Sequence, residues 1–190
     1  MTTASKITLV RVVLIPVYMV LMLLSANGAE WLRWAAVAVF VIASISDFLD
    51  GYIARKNHLV TDFGKFMDPL ADKCLTTAAF IYMVVDGVCS PIVLAVILFR
   101  EFAVAGVRMI AAETGTVIAA NMWGKVKTVL QMLSIIFYFF GTALSYRGTL
   151  ESVSIVVVVS IALCWLVAAV TAISGIKYLW DNRSFINTAK

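Results

Sequence analysis

Three stretches of this chain, Val12–Ala29, Thr128–Tyr146 and Ser152–Ile176, carry no charged side chain. Each is close to or beyond the roughly 20 apolar residues that an α-helix needs to cross a bilayer. Hydrocarbon offers no water to backbone N–H and C=O groups, so a spanning segment must satisfy them internally, as a helix does. Shorter uncharged runs at Trp34–Ser46, Cys74–Val85 and Gly87–Phe99 reach span length once charged residues at their ends are included. The pattern predicts six transmembrane helices, over about 8–26, 31–54, 67–86, 90–112, 123–146 and 152–180. Composition agrees: 63% of the 190 residues are hydrophobic, against about 45–50% in a soluble domain. The expected fold class is therefore an all-α integral membrane protein, a single domain over residues 1–190.

Six spans place both termini on one side. Lys6, Arg11, Arg55, Lys56, Lys65, Lys73, Arg100, Arg108, Lys125, Lys127, Lys177, Arg183 and Lys190 fall on that side, and Arg33 and Arg147 on the other. The positive-inside rule makes the first side cytoplasmic. The expected location is thus the cell membrane (inner or plasma), multi-pass, with both termini facing the cytoplasm. Trp31, Trp34, Tyr146 and Trp180 fall near span ends, where interfacial aromatics collect. The N-terminal region lacks a signal-peptide layout with a small-residue cleavage site, so the first span is expected to stay in place. Cys74, Cys89 and Cys164 are scattered without a C-x-x-C, which points to neither a disulfide framework nor a zinc site. The lone histidine, His58, reads as a loop residue at headgroup level, because one histidine makes a poor metal site.

Against this apolar background stand four aspartates, Asp47, Asp50, Asp68 and Asp72, in the pattern D-x2-D-G-x2-A-R-x8-G-x3-D-x3-D. Carboxylates beside a bilayer are costly and mark function by default. Residues three and four apart share a helix face. Asp47 and Asp50 are expected to point together from the end of the second helix, and Asp68 and Asp72 from the start of the third. Two such pairs form a set of hard oxygen donors suited to magnesium, manganese or calcium, and a bound cation relieves their mutual repulsion. Helix capping accounts for one Asp per helix, but not for two pairs with two glycines and an arginine between them.

A divalent cation at the cytoplasmic headgroup level suits phosphate substrates. Gly51 lets a substrate approach the backbone. Ala54, one turn after Asp50, keeps that face low. Arg55 offers a planar fork to a phosphate or diphosphate. Gly64 is expected in the turn before the third helix. If one carboxylate is free to take a proton from an attacking hydroxyl, the end member Asp72 is the natural candidate.

The pattern resembles the signature of the CDP-alcohol phosphatidyltransferase family, with Asp47, Asp50, Gly51, Ala54, Arg55, Gly64, Asp68 and Asp72 all in place. Enzymes of that family displace CMP from a CDP-linked donor with an alcohol. The resemblance implies that the four aspartates bind Mg2+ (or Mn2+). It places Asp47, Gly51, Arg55, Thr61 and Asp68 around the CDP group, with Thr8 from the first helix, and lets Ala54 and Gly64 make room for the nucleotide. Asp72 would serve as general base on the acceptor hydroxyl, which attacks the β-phosphorus.

The flanks resemble one branch of the family. Ile7–Pro16, Asp68–Lys73, Arg100-Glu101 with Arg108, and Gly124–Thr128 with Gln131 carry the likeness, although that branch more often has Asn where Ser5 stands. It implies CDP-diacylglycerol as donor, its acyl chains left in the membrane lipid, and sn-glycerol 3-phosphate as acceptor. A dianionic acceptor needs several cations, and Arg11, Arg100, Arg108, Lys125 and Lys127 are the candidates. Anchoring to anionic lipid is the competing reading of Arg100, Arg108, Lys125 and Lys127. Lys125 and Lys127, two apart, do not share a face, and Glu101 is a candidate to orient an arginine. A homodimer is implied, and no nucleic-acid partner is expected.

Three other readings stay open. Another acceptor (inositol phosphate, serine or phosphatidylglycerol) would keep the family. A cation transporter would favour charges at the midplane of broken helices, whereas these carboxylates cluster on one side. A metal-dependent lipid phosphatase gives no reason for Arg55 beside a nucleotide pocket.

Overall fold

The computed structural model describes residues 3–25, 30–57, 62–113, 115–116, 118, 122–145 and 150–184, and the side chains of 9–25, 31–46, 70–71, 73–112, 115–116, 118, 122–144 and 153–184. Six helices follow one another: α1 (Thr3–Ser25), α2 (Glu30–Asn57), α3 (Asp62–Val85), α4 (Pro91–Glu113), α5 (Met122–Ser145) and α6 (Leu150–Asp181). The expectation of six helices holds. Two described segments, Met122–Leu144 and Val153–Asp181, are long and apolar enough to cross a membrane by length and composition. Leu9–Ser25, Trp31–Ser46 and Lys73–Val85 are shorter apolar stretches.

The boundaries have local causes. Ser90 caps α4: its Oγ accepts from the Ile92 N–H at 3.3 Å, and Pro91 occupies the first helical position, where no N–H is needed. At the end of α3, Gly87 takes φ 74°, its N–H reaching the Val84 carbonyl at 3.0 Å while Val88 N–H reaches the Met83 carbonyl at 2.9 Å. This pair of bonds is the glycine-dependent helix stop that satisfies the last carbonyls. Gly115 (φ 73°) repeats it after α4, with Thr116 N–H bonded to the Ala111 carbonyl at 2.9 Å.

The chain forms two compact units: Met1–Tyr82 with Phe139–Thr149, and Met83–Tyr138 with Leu150–Lys190. In the first, α1 packs on α2. Ala36 and Ala43, both fully buried, are seven residues apart on one face of α2. Tyr18, also fully buried, anchors an aromatic cluster, with ring centroids 5.7 Å from Phe40, 6.0 Å from Tyr82 and 6.0 Å from Phe139. The Tyr82 hydroxyl donates to the Met19 carbonyl at 2.5 Å and so ties α3 to α1. Serines are absorbed locally: Ser44 and Ser46 donate to the carbonyls of Phe40 and Ile42, four residues back.

In the second unit α4 packs on α6. The two run in the same direction, because Arg100 meets Ser174 and Arg108 meets Tyr178. Val104, Val107 and Tyr178 form a buried cluster, with Ile118 and Leu179 against it. The Tyr138 hydroxyl donates to the Asp86 carboxylate, giving that acid an internal partner. Outward faces remain apolar, including Phe99, Phe102, Ile155 and Ile176.

Candidate active site

The four aspartates lie in helical backbone: Asp47 and Asp50 in α2, Asp68 and Asp72 in α3. At these spacings each pair falls on one side of its helix by register. Both helices run further than expected. α2 continues to Asn57 and α3 begins at Asp62, not 67, so the pairs sit within the helices rather than at their ends. Gly64, expected in a turn, belongs to the first turn of α3. An acidic residue at that end complements the helix dipole, and a first-turn glycine interrupts little of the hydrogen-bond ladder.

Gly51, Ala54 and Arg55 are helical positions of α2, and Thr8 is one of α1. The side chains of the four aspartates, Arg55 and Thr8 lie outside the described ones, as do Thr61 and His58 altogether. Among the described residues, no three His, Cys, Asp or Glu side chains come together to hold a metal. A site built from these four carboxylates would offer only hard oxygen donors, a chemistry that suits Mg2+ or Mn2+ over softer metals. Arg11, the candidate cation of the first unit, is fully buried on α1.

The other candidate cations belong to the second unit, and there the side chains are resolved. Arg100 and Lys127 converge on Glu101: Arg100 Nη1 lies 3.1 Å from Oε1, and the Lys127 ammonium pairs with the same oxygen. Lys127 is 4% exposed, while Lys125 is exposed, as their two-residue spacing requires. One carboxylate oxygen thus serves both the buried Lys127 and the largely buried Arg100. Arg100 Nη2 also donates to Ser174 Oγ at 3.0 Å, while its Nε is buried without a hydrogen-bond partner among the described residues. Arg108 is exposed; its Nε donates to the Tyr178 hydroxyl at 3.3 Å, and its guanidinium carbon lies 5.8 Å from that ring's centroid.

Ser174 and Tyr178 were not among the residues expected at the site. With Ser160, Cys164 and Thr171 they form a small polar face buried along α6. Their spacing, at intervals of one or two helical turns, is visible in the sequence. A hydropathy average erases it, because each polar position is flanked by Val, Leu or Ile. On α5, Lys127, Gln131 and Ser134 make a similar buried face. Cys74, Cys89 and Cys164 are free thiols.

A family model described as CDP-alcohol phosphatidyltransferase matches residues 1–175. A protein of Bacillus subtilis (strain 168) named CDP-diacylglycerol–glycerol-3-phosphate 3-phosphatidyltransferase is 41% identical over 194 aligned positions, 97% of either chain. Proteins with that name from Rickettsia typhi (35% identical, 95% of this chain and 97% of theirs) and Haemophilus influenzae (33%, 91% and 89%) are alike over nearly their whole length. The signature read in residues 47–72 is therefore part of a likeness that runs almost from end to end, and the chain belongs to the CDP-alcohol phosphatidyltransferase family.

Proposed function

We propose that this protein transfers the phosphatidyl group of CDP-diacylglycerol to sn-glycerol 3-phosphate, yielding phosphatidylglycerophosphate and CMP. The observation that carries the reading is the complete eight-position signature of residues 47–72, with its helical positions divided between α2 and α3. The names of the relatives from three bacteria supply the same donor and acceptor.

In this reading Asp47, Asp50, Asp68 and Asp72 hold Mg2+ or Mn2+, which when bound neutralises charge on the donor's diphosphate. Gly51, Ala54 and Gly64 leave space for the nucleotide. Arg55 pairs with diphosphate oxygens, and Thr8 and Thr61 complete the donor contacts. The acceptor's hydroxyl oxygen attacks the β-phosphorus, the phosphorus that bears the diacylglycerol. Asp72 takes the hydroxyl proton, the new P–O bond forms, and the anhydride bond to the α-phosphate breaks with CMP as the leaving group. Arg11, Arg100, Arg108, Lys125 and Lys127 supply positive charge for the acceptor's phosphate.

The protein acts as a multi-pass membrane enzyme with six spans, its termini and polar cavity on the cytoplasmic side. Support comes from the apolar outward faces of the helices and from the one-sided distribution of Lys and Arg. Acyl chains then stay in the bilayer while the headgroup meets the carboxylates. A homodimer is the working assembly.

The test is CMP release by purified protein in detergent with CDP-diacylglycerol, Mg2+ and a panel of acceptors. Release with glycerol 3-phosphate, abolished by EDTA and restored by Mg2+, is expected. Release only with inositol phosphate, serine or phosphatidylglycerol would overturn the acceptor, and no release with any acceptor would overturn the enzyme.

A further inference from the structure

We propose that the last turns of α6 are the positioning element for the acceptor-binding arginines: Ser174 and Gly175 set Arg100, and Tyr178 sets Arg108. The proposal rests on the acceptor role of those arginines given above. It adds a function to a helix that the signature and its flanks leave without one.

Arg100 runs along a lane cut through two neighbouring helices. A methyl group added at Gly175 of α6 would stand 2.9 Å from Arg100 Cγ and 3.6 Å from its Cβ. One added at Gly124 of α5 would stand 3.1 Å from Nη2. The first contact is with the root of the side chain, which cannot swing aside without leaving its path. Beyond the lane, Ser174 Oγ takes one Nη2 proton at 3.0 Å and Glu101 takes one from Nη1 at 3.1 Å. With a side chain 10% exposed and both ends of its fork engaged, the guanidinium has one orientation open to it. Its buried, unpartnered Nε is a donor still to be satisfied, and a phosphate oxygen is a chemically suitable acceptor.

Arg108 is held differently. It lies two turns further along α4 and is exposed, so its free side chain would sample many rotamers. Tyr178, 2% exposed and one turn beyond Ser174, supplies a hydroxyl to Nε and a ring beneath the guanidinium. The Nη groups stay available for a bidentate contact with a phosphate. Two positions one turn apart on α6 thus set two arginines that α4 carries in the same order. Ordering these side chains before the acceptor arrives lowers the entropic cost of binding it.

Ser174, Gly175 and Tyr178 are positioning residues, and the test reads a KM split. CMP release is measured for full-length wild type, Tyr178→Phe and Gly175→Ala in detergent, varying glycerol 3-phosphate and CDP-diacylglycerol in turn. Each variant should raise the KM for glycerol 3-phosphate about tenfold, the size of one lost hydrogen bond to a charged group. The KM for CDP-diacylglycerol should not change. Tyr178→Phe keeps the ring and is the milder variant should Gly175→Ala fold poorly. In an Arg108→Ala background, Tyr178→Phe should add nothing further, because the hydroxyl acts through that arginine. An unchanged acceptor KM, an equal rise for both substrates, or full additivity with Arg108→Ala would overturn the positioning role. Wild type without glycerol 3-phosphate-dependent release would instead reject the underlying function.

Discussion

Lys127 of α5 and Arg100 of α4 share a single carboxylate oxygen, Oε1 of Glu101. Lys127 is almost completely enclosed and Arg100 nearly so. An ion group of this kind is costly to assemble but more costly to break, because each member offsets part of the desolvation cost of the others.

Glu101→Gln should therefore destabilise the protein by about 3 kcal/mol, read as a lower Tm in detergent. A Tm equal to wild type would show that the three groups do not depend on one another.

The aspartates should separate by role. Asp72→Asn should abolish CMP release while CDP-diacylglycerol still binds in the presence of Mg2+. Asp50→Asn should weaken both binding and turnover. Radiolabelled donor binding beside CMP release distinguishes the two, and loss of donor binding in Asp72→Asn would remove it from the general-base role.

Arg108→Ala should raise the KM for glycerol 3-phosphate well above any change for the donor. An equal effect on both would reject an acceptor role. The exposed position of Arg108 makes this variant unlike Glu101→Gln: its Tm should stay near that of wild type, since exposed substitutions usually cost within about 0.5 kcal/mol.

Ala43→Leu tests the first unit. Ala43 is fully buried on the face of α2 that carries Ala36, in the helix that packs on α1. The added carbons have no space there and should cost about 1–3 kcal/mol, again as a lower Tm. Ile42→Leu on the exposed side of the same helix is the control and should leave Tm unchanged.

Much of this architecture can be read from residue order. Long uncharged runs coincide with the six helices, and the aspartate spacing marks two helical faces by register alone. Helix extent is less legible. Polar residues such as Arg55, Lys56 and Asn57 look like the end of the helix, yet the backbone of α2 carries on through them. The partners of Arg100 and Arg108 are the least legible of all. Ser174 and Tyr178 stand 74 and 70 residues away, and nothing local in either helix announces the pairing. Residue order offers Glu101 as a partner for an arginine without saying which; that Lys127 of α5 shares it is not visible there.

The shared direction of α4 and α6 bears on how the protein is made. Helices that run the same way cannot be joined by a tight turn, so α5 must be laid down between them first. Arg100 leaves the ribosome 74 residues ahead of Ser174, an interval of about 4–15 s at ordinary rates of synthesis. During that time α4 has no α6 to receive its arginines. Glu101 is translated immediately after Arg100, and so gives the newborn helix a counter-charge from the moment the arginine is made.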